Sequence, residues 1–320
     1  MKAPKRVLSA FQQDDRFLIA THINPDGDAI GSALALALAL ESMGKKVFVY
    51  DRDPVPKNYR FLSGHERFSN DIKKMTKSES VLVLLDCNSP ERAAIERYSF
   101  RRSIIIDHHE TESSYGDIRW IEKDAAATGL LVQSIIKYLG VKLTKNMAEN
   151  LYTAISVDTG TFRYSNTSAE VLRAAAELIE AGAEPTLIAE NLYETWDYNR
   201  FRLFLLSMNT LEKKDGVAIT QVTRDMFRKT GTSAEDTEHF SNFPRKIDSV
   251  KMAAMFRELG RDEWKASLRA KGAINVARIA ESFGGGGHKN AAGFTIKADI
   301  GSAKKALMRA TRSLSGKKRF

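Results

Sequence analysis

The sequence predicts an α/β protein, with a doubly wound, mostly parallel sheet joined by a helical connection to a smaller α+β domain. Three observations lead there. Short runs rich in Val, Ile and Leu alternate with helix-length segments through the first half, as buried parallel strands and crossover helices do. The length of 320 residues exceeds the usual size of one domain. The charge is also divided unevenly. Residues 1–199 carry 24 Lys+Arg against 28 Asp+Glu, a balance of −4, whereas residues 200–320 carry 25 against 12, a balance of +13. An acidic half suits cations and a basic half suits anions, although Lys and Arg that merely solvate C-terminal helices would give the same count.

Taken in order, FLIAT (17–21), VFVY (47–50), VLVLL (81–85) and SIII (103–106) are the expected strands of the first domain. Helices are expected at Ala29–Met43, Pro90–Tyr98, Ala125–Leu139, Lys145–Ser156 and Ala169–Ala181, with Gly182 as a C-cap. Residues 185–213 read as helix with few breakers. Beyond them GVAITQV (216–222), SVKMAAMFRE (249–258) and EWKASLRA (263–270) read as strands. Helices at Asn275–Phe283 and Ser302–Leu314 flank a Gly-rich loop. The expected division is a domain over 1–186, a connecting helix over 187–213 and a second domain over 214–320.

Composition narrows the class. With 43% hydrophobic and 28% charged residues, the chain can bury a core and does not resemble a disordered protein. Its longest apolar stretch, Ile30–Leu40, is interrupted by Gly31 and Ser32 and is too short to cross a bilayer. The N-terminus has no apolar signal core. A single cysteine, Cys87, excludes an internal disulfide framework and reads as a small buried residue. The expectation is a soluble cytoplasmic protein with no membrane partner.

Four segments of the first half carry ionisable groups where strands or helices end. They are His22-Ile-Asn24-Pro-Asp26-Gly-Asp28 after FLIAT, Asp86 after VLVLL, Asp107-His108-His109 after SIII, and Asp158 in a helix-to-turn segment that also holds Arg163. Alone, each Asp reads equally as a turn or N-cap residue. Together they end strands of one parallel sheet, whose carboxyl ends share a crevice. Carboxylates gathered there without a cation would repel one another. Asp and His without Cys favour Mn²⁺, with Mg²⁺, Fe²⁺ and Co²⁺ as further candidates.

HINPDGDAIGS, the Asp after VLVLL, DHH, VDTGTFR and GGGGHKNAAGF, in this order, resemble the DHH phosphoesterase superfamily. Within it the chain is similar to the bifunctional oligoribonuclease/pAp phosphatase branch, over residues 10 to 315. The resemblance implies two divalent metal ions. His22 and Asp26 would bind the first, Asp28, His108 and Asp158 the second, and Asp86 would bridge them. His109 is not expected to point the same way as its neighbour, and is assigned to the phosphate or the transition state. Asp107 would orient the loop. Asn24 would shape the first loop, and Arg163 would contact substrate or form a salt bridge.

In the second domain, Gly284, Gly285, Gly286 and Gly287 would let backbone N–H groups approach an anion, or would simply form a hairpin. By resemblance this loop, with His288, Asn290, Arg257 and Arg269, grips substrate, and His288 reaches the scissile phosphate. Ala270 stands where relatives commonly have Ser, which removes one hydroxyl. The implied activity is removal of the 3′-phosphate of pAp and release of 5′-mononucleotides from very short single-stranded RNA. Alternative readings are a cyclic or linear dinucleotide phosphodiesterase, a RecJ-like single-strand exonuclease, and a catalytically silent nucleotide- or RNA-binding regulator. A homodimer is compatible with the sequence.

Overall fold

The computed structural model describes residues 1–75, 80–109, 114–272 and 274–314. The chain divides into two compact units, Met1–Thr195 and Trp196–Phe320. The first contains α1 (Lys5–Gln13), β1 (Arg16–Ala20), α2 (Gly27–Ser42), β2 (Lys46–Tyr50), β3 (Phe68–Ser69), α3 (Ile72–Met75), β4 (Val81–Leu85) and β5 (Arg102–Asp107). It continues with β6 (Ile118–Ile121), α4 (Thr128–Tyr138), α5 (Lys145–Asp158), α6 (Ala169–Glu180) and α7 (Pro185–Tyr193). Its strands form one parallel sheet in the order β3-β2-β1-β4-β5-β6. The order reverses direction between β1 and β4, which places a crevice at their carboxyl ends.

Strand alternation divides the core between the two faces of the sheet. Phe17 and Ile19 of β1 pack with the apolar sides of α2, α4 and α5, whereas Leu18 and Ala20 pack on the opposite face with Ile72, Ala93 and Ile95. Helix α2 is apolar all round because it is enclosed on all sides, with Ile30, Leu34, Leu36 and Leu40 fully buried. Each such side chain contributes about 1.5–3 kcal/mol relative to exposure. Gly31 sets how near α5 comes. A Cβ there would lie 2.3 Å from the Asn150 carbonyl oxygen and 3.1 Å from the Ala154 Cβ.

The structure departs from the sequence reading at several elements. Residues 90–98, expected as a helix, form turns; Ala94 takes φ +54°, and the Ile95 amide returns to the Pro90 carbonyl oxygen instead of propagating a helix. The segment expected as one connecting helix breaks after α7. Asp197 accepts from the Arg200 amide at 2.8 Å and caps a new helix, α8 (Tyr198–Met208). The short strands β3 and β6 carry too few periodic residues to stand out in the sequence, whereas α1, which buries Val7, Ala10 and Phe11 at helical spacing, is an element the sequence reading omits.

The second unit begins at Trp196 and contains α8, β7 (Glu212–Lys214), β8 (Val217–Val222), α9 (Arg224–Thr230), β9 (Met252–Gly260) and β10 (Glu263–Ala270). It ends with α10 (Val276–Glu281), β11 (Gly286–His288), β12 (Ala291–Lys297) and α11 (Ile300–Leu314). Its sheet runs β11-β12-β10-β9-β8-β7, antiparallel except for the β8–β9 pair. Part of the Gly-rich segment is therefore strand, closing a hairpin through Lys289 and Asn290. Among the described residues, no helix is long and apolar enough to cross a membrane.

Gly31→Ala is expected to lower stability by about 1–3 kcal/mol, the cost of overpacking a tight contact. Thermal unfolding of the metal-free protein measures it, and an unchanged midpoint would contradict the close α2–α5 approach.

Candidate metal centre

Six side chains converge at the carboxyl edge of the first sheet. His22 lies two residues past β1 and Asp86 directly past β4. His108 follows Asp107, the last residue of β5. Asp26 caps α2, its Oδ1 accepting from the amides of Asp28 and Ala29 at 3.1 Å each, and Asp28 sits in the first turn of that helix. Asp158 ends α5. Their ligand atoms form the groups His22–Asp26–Asp86 and Asp28–His108–Asp158, with the atoms of each group lying within 4.8 Å of one another. Asp86 also reaches the second group, since its Oδ1 is 3.4 Å from His108 Nε2 while its Oδ2 is 3.4 Å from His22 Nε2.

The backbone determines which imidazole nitrogen faces the carboxylates. His22 Nδ1 donates to the Ile23 carbonyl oxygen at 3.0 Å, and His108 Nδ1 donates to that of Ala125 at 3.1 Å. A carbonyl only accepts, so the proton of each neutral ring is committed there and Nε2 presents a lone pair. His108 Nε2 then faces Asp158 at 3.2 Å, Asp86 at 3.4 Å and Asp28 at 3.7 Å. A lone pair against three carboxylates repels them unless a cation or a proton stands between.

The titration of the metal-free centre follows from this crowding. Burial disfavours the charged form of His22, but the Asp86 contact and the charges of Asp26 and Asp86 outweigh it and lift the ring to about 9. Burial is likewise overcome at His108, which Asp158 and Asp86 lift to about 12. Burial, with the charges of Asp26 and Asp86, raises Asp158 to about 6 against the pull of His108. Burial and the charges of Asp86 and Asp158 raise Asp28 well above the carboxylate range. Asp86 goes the other way: burial resists, but the bonds of His108 and His22 hold it well below that range. Oxygen and imidazole donors in this arrangement fit divalent cations. Cys87 takes no part: burial pushes its thiol up to about 12, and Sγ donates to the Ser89 carbonyl oxygen.

Asp86 has φ +56°, a left-handed conformation that costs a non-glycine residue about 1–3 kcal/mol. It turns the carboxylate sideways from the end of β4 between the two histidines. Thr128 explains part of what holds it there, and sequence reading missed it. The Thr128 hydroxyl donates to Asp86 Oδ1 at 3.0 Å while its amide donates to Asp28 Oδ2 at 2.6 Å, and the Gly129 amide donates to Asp28 Oδ1 at 2.8 Å. One helix N-terminus thus orients two carboxylates from different elements. The helix expected over Ala125–Leu139 starts instead at Thr128, so nothing in the sequence marks this residue.

His109 corrects an expectation. Its ring does turn to the same side as His108, with centroids 5.0 Å apart and Nδ1 3.5 Å from Asp86 Oδ1. The cause is Asp107, whose Oδ1 accepts from the His108 amide at 2.8 Å, the His109 amide at 3.2 Å and His109 Nδ1 at 2.7 Å. This turn folds both histidines inward. Asn24 has φ +55° and donates its amide to Asp53 Oδ2 at 2.9 Å. Arg163 is exposed, and its Nε donates to the Gly160 carbonyl oxygen.

In the second unit, alternation along β9 and β10 puts Arg257 and Arg269 on one face of the sheet, with Lys265 directly across from Arg257. Burial lowers the Arg257 guanidinium. Ala270 points to the opposite, buried face, within the core that α10 and α11 cover, so a serine hydroxyl there would not join the arginines. Gly285 and Gly287 have a packing reason to be glycine. A Cβ would lie 2.2 Å from the Gly293 carbonyl oxygen at Gly285 and 2.6 Å from that of Ala291 at Gly287, whereas Gly284 and Gly286 face open space. Asn290 lies in the exposed turn, its carbonyl accepting from the Ala270 amide at 3.0 Å. The His288 side chain lies outside the described residues.

Comparison with known proteins agrees with this layout. Residues 16–155 match the model of the DHH family, N-terminal domain, and residues 214–315 match the DHHA1 domain. The bifunctional oligoribonuclease and PAP phosphatase NrnA of Thermus thermophilus is 35% identical over 300 residues, covering 92% of this chain and 88% of that protein. NrnA of Bacillus subtilis is 28% identical over 288 residues, covering 88% and 90%. The crystal structure of an exopolyphosphatase-related protein from Bacteroides fragilis superposes with a TM-score of 0.90 at 27% identity, covering 96% of this chain and 95% of that one.

At pH 7 both Nε2 atoms carry protons in the metal-free protein, so a cation at each group must displace one. Calorimetric titration with Mn²⁺ in buffers of differing ionisation enthalpy is expected to show at least about two protons released per chain. Release of none would mean that the rings are not protonated before the cation binds. Stability contributed by charged His22 is complete below the ordinary value of 6.5 and is lost as pH rises through about 9.

Proposed function

Because the chain belongs to the DHH family and carries its DHHA1 domain, we propose that it is a phosphoester hydrolase of the oligoribonuclease and pAp phosphatase type. It removes the 3′-phosphate of pAp, giving AMP and phosphate, and releases 5′-mononucleotides from very short single-stranded RNA. The observation that carries this reading is the pair of ligand groups joined through Asp86. His22 and Asp26 would hold one divalent cation and Asp28, His108 and Asp158 the other, with Asp86 available to both. Mn²⁺ suits the mixed carboxylate and imidazole donors best. A bound pair of such ions supplies charge neutralisation for phosphoryl oxygens and lowers the pKa of nearby water.

The chain's own residues do the rest. Asp107 holds His109 Nδ1 and orients the ring so that its other nitrogen faces a phosphoryl or leaving oxygen as a hydrogen-bond donor. Arg257, Arg269 and the Gly284–Gly287 loop with His288 and Asn290 bind the anionic remainder of the substrate. Both substrates present the same bond to be broken, an ester of phosphate, and differ in the leaving group. The reading places the protein in the cytoplasm.

Turnover of pAp and of RNA two-mers to five-mers, with a 24-mer for contrast, tests the assignment in Mn²⁺ and in EDTA. Phosphate from pAp and mononucleotides from the short RNAs, both abolished by EDTA, are expected. Efficient degradation of the 24-mer alone would overturn it. Asp86→Ala should lower metal content at both groups and cut kcat/KM by roughly a thousandfold or more. His109→Ala should retain metal and lose about a hundredfold in kcat. Metal loss in the second variant, or near-normal turnover in the first, would contradict these roles.

A further inference from the structure

Beside the metal centre, the first unit holds a second polar cavity on the same edge of its sheet. It has a volume of about 450 Å³ and is lined by residues that include Asp51, Asp53, Val55, Arg60, Phe68 and Asn70. Asp51 follows β2 directly, and Phe68 belongs to β3. Asp51 is almost wholly buried; its Oδ2 accepts from the Thr21 hydroxyl at 2.5 Å and its Oδ1 from the Asp53 amide at 2.8 Å. Asp53 Oδ2 accepts from the amide of Asn24. Thr21 and Asn24 flank His22, so the loop that carries the first ligands of the metal centre is bonded to both carboxylates of the cavity.

The chemistry of the lining selects a ligand. Each carboxylate has about four acceptor positions, so Asp51 and Asp53 retain some for donors entering the cavity. Arg52 pairs with Asp53 at 3.2 Å, and Arg60 and His65 also line the cavity, so the carboxylates are largely balanced and their remaining acceptor positions suit a neutral group rich in hydroxyls. Phe68 and Val55 offer an apolar wall, and the Asn70 amide offers a donor and an acceptor. A sugar hydroxyl beside a flat heteroaromatic ring, such as the ribose 2′-hydroxyl of a nucleotide, satisfies all of these. The volume suits a molecule of that size. Position points the same way. In doubly wound sheets of this strand order, an acid after the second strand receives ribose hydroxyls while phosphate lies at the loop after the first. Here the loop after β1 belongs to the metal centre.

We propose that this cavity is a ribonucleoside subsite, in which Asp51 and Asp53 accept hydrogen bonds from ribose hydroxyls and the base lies against Phe68. The inference rests on the phosphohydrolase reading for its substrate and adds to it a means of telling ribose from deoxyribose. A site built around hydroxyl donors discriminates against a ligand that lacks one.

The test uses the full-length ¹⁵N-labelled protein without added Mn²⁺, whose paramagnetism would broaden the amide signals. Adenosine and 2′-deoxyadenosine are titrated to concentrations on the order of 1 mM or above, and amide shifts are mapped. Adenosine is expected to move the amides of residues 51–53, 55 and 68–70, and 2′-deoxyadenosine to bind about tenfold more weakly. Phe68→Ala should weaken adenosine by roughly tenfold, as loss of a stacking face does. Shifts confined to other residues, or equal binding of the two nucleosides, overturn the subsite. Hydrolysis of bis(p-nitrophenyl) phosphate by the Mn²⁺-loaded parent protein is measured separately. That ester has no nucleoside, so its failure to react would count against the phosphohydrolase reading, while the titration still decides the subsite.

Discussion

Two imidazole rings are held by backbone carbonyls so that their Nε2 atoms face buried carboxylates, and much of the first unit is arranged to make that contact possible. The Nδ1–H bonds of His22 to Ile23 and of His108 to Ala125 remove the choice of tautomer. Asp86 stands between the rings in a strained backbone conformation, and Thr128 ties it to Asp28. Without a cation the rings must take up protons, which is why their basicity is so high. The centre is poised to exchange protons for metal.

Bringing those groups together depends on packing remote from them. Asp158 ends α5 and Asp28 begins α2, so their approach is governed by how closely the two helices lie. Gly31 against the Asn150 carbonyl permits that closeness, and the burial of Ile30 and Leu34 around it stabilises the pair. Parallel strands supply the remaining ligands at their carboxyl ends, where the reversal of strand order opens the crevice. A ligand set drawn from two helices and three strand ends is thereby held without a long loop.

Much of this was legible in the sequence because strand ends announce themselves. FLIAT before His22, VLVLL before Asp86 and SIII before Asp107 are apolar runs that stop at ionisable residues, and a parallel sheet brings such ends together. The inward turn of His109 was not legible, since it follows from three bonds to one oxygen of Asp107. Thr128 was hidden for a similar reason: its role depends on two carboxylates distant in sequence. Residues 90–98 have helical composition, yet Ala94 adopts a left-handed conformation that the composition does not reveal. Asp197 did carry a signal as an N-cap within an otherwise unbroken helical pattern. In the second unit, β-alternation resolves what a motif leaves open. It sets Arg257 and Arg269 on one face and buries Ala270 on the other, and it gives Gly285 and Gly287 steric reasons to lack a side chain.

The central claim is that one carboxylate, Asp86, is shared between two cation positions. Anomalous diffraction at the manganese edge, from crystals grown with Mn²⁺, addresses it most directly. The account predicts two peaks close enough to share a ligand, about 3.5–4 Å apart. One would lie among His22, Asp26 and Asp86, the other among Asp28, Asp86, His108 and Asp158. A single peak, or two peaks with Asp86 bound to only one, would contradict it.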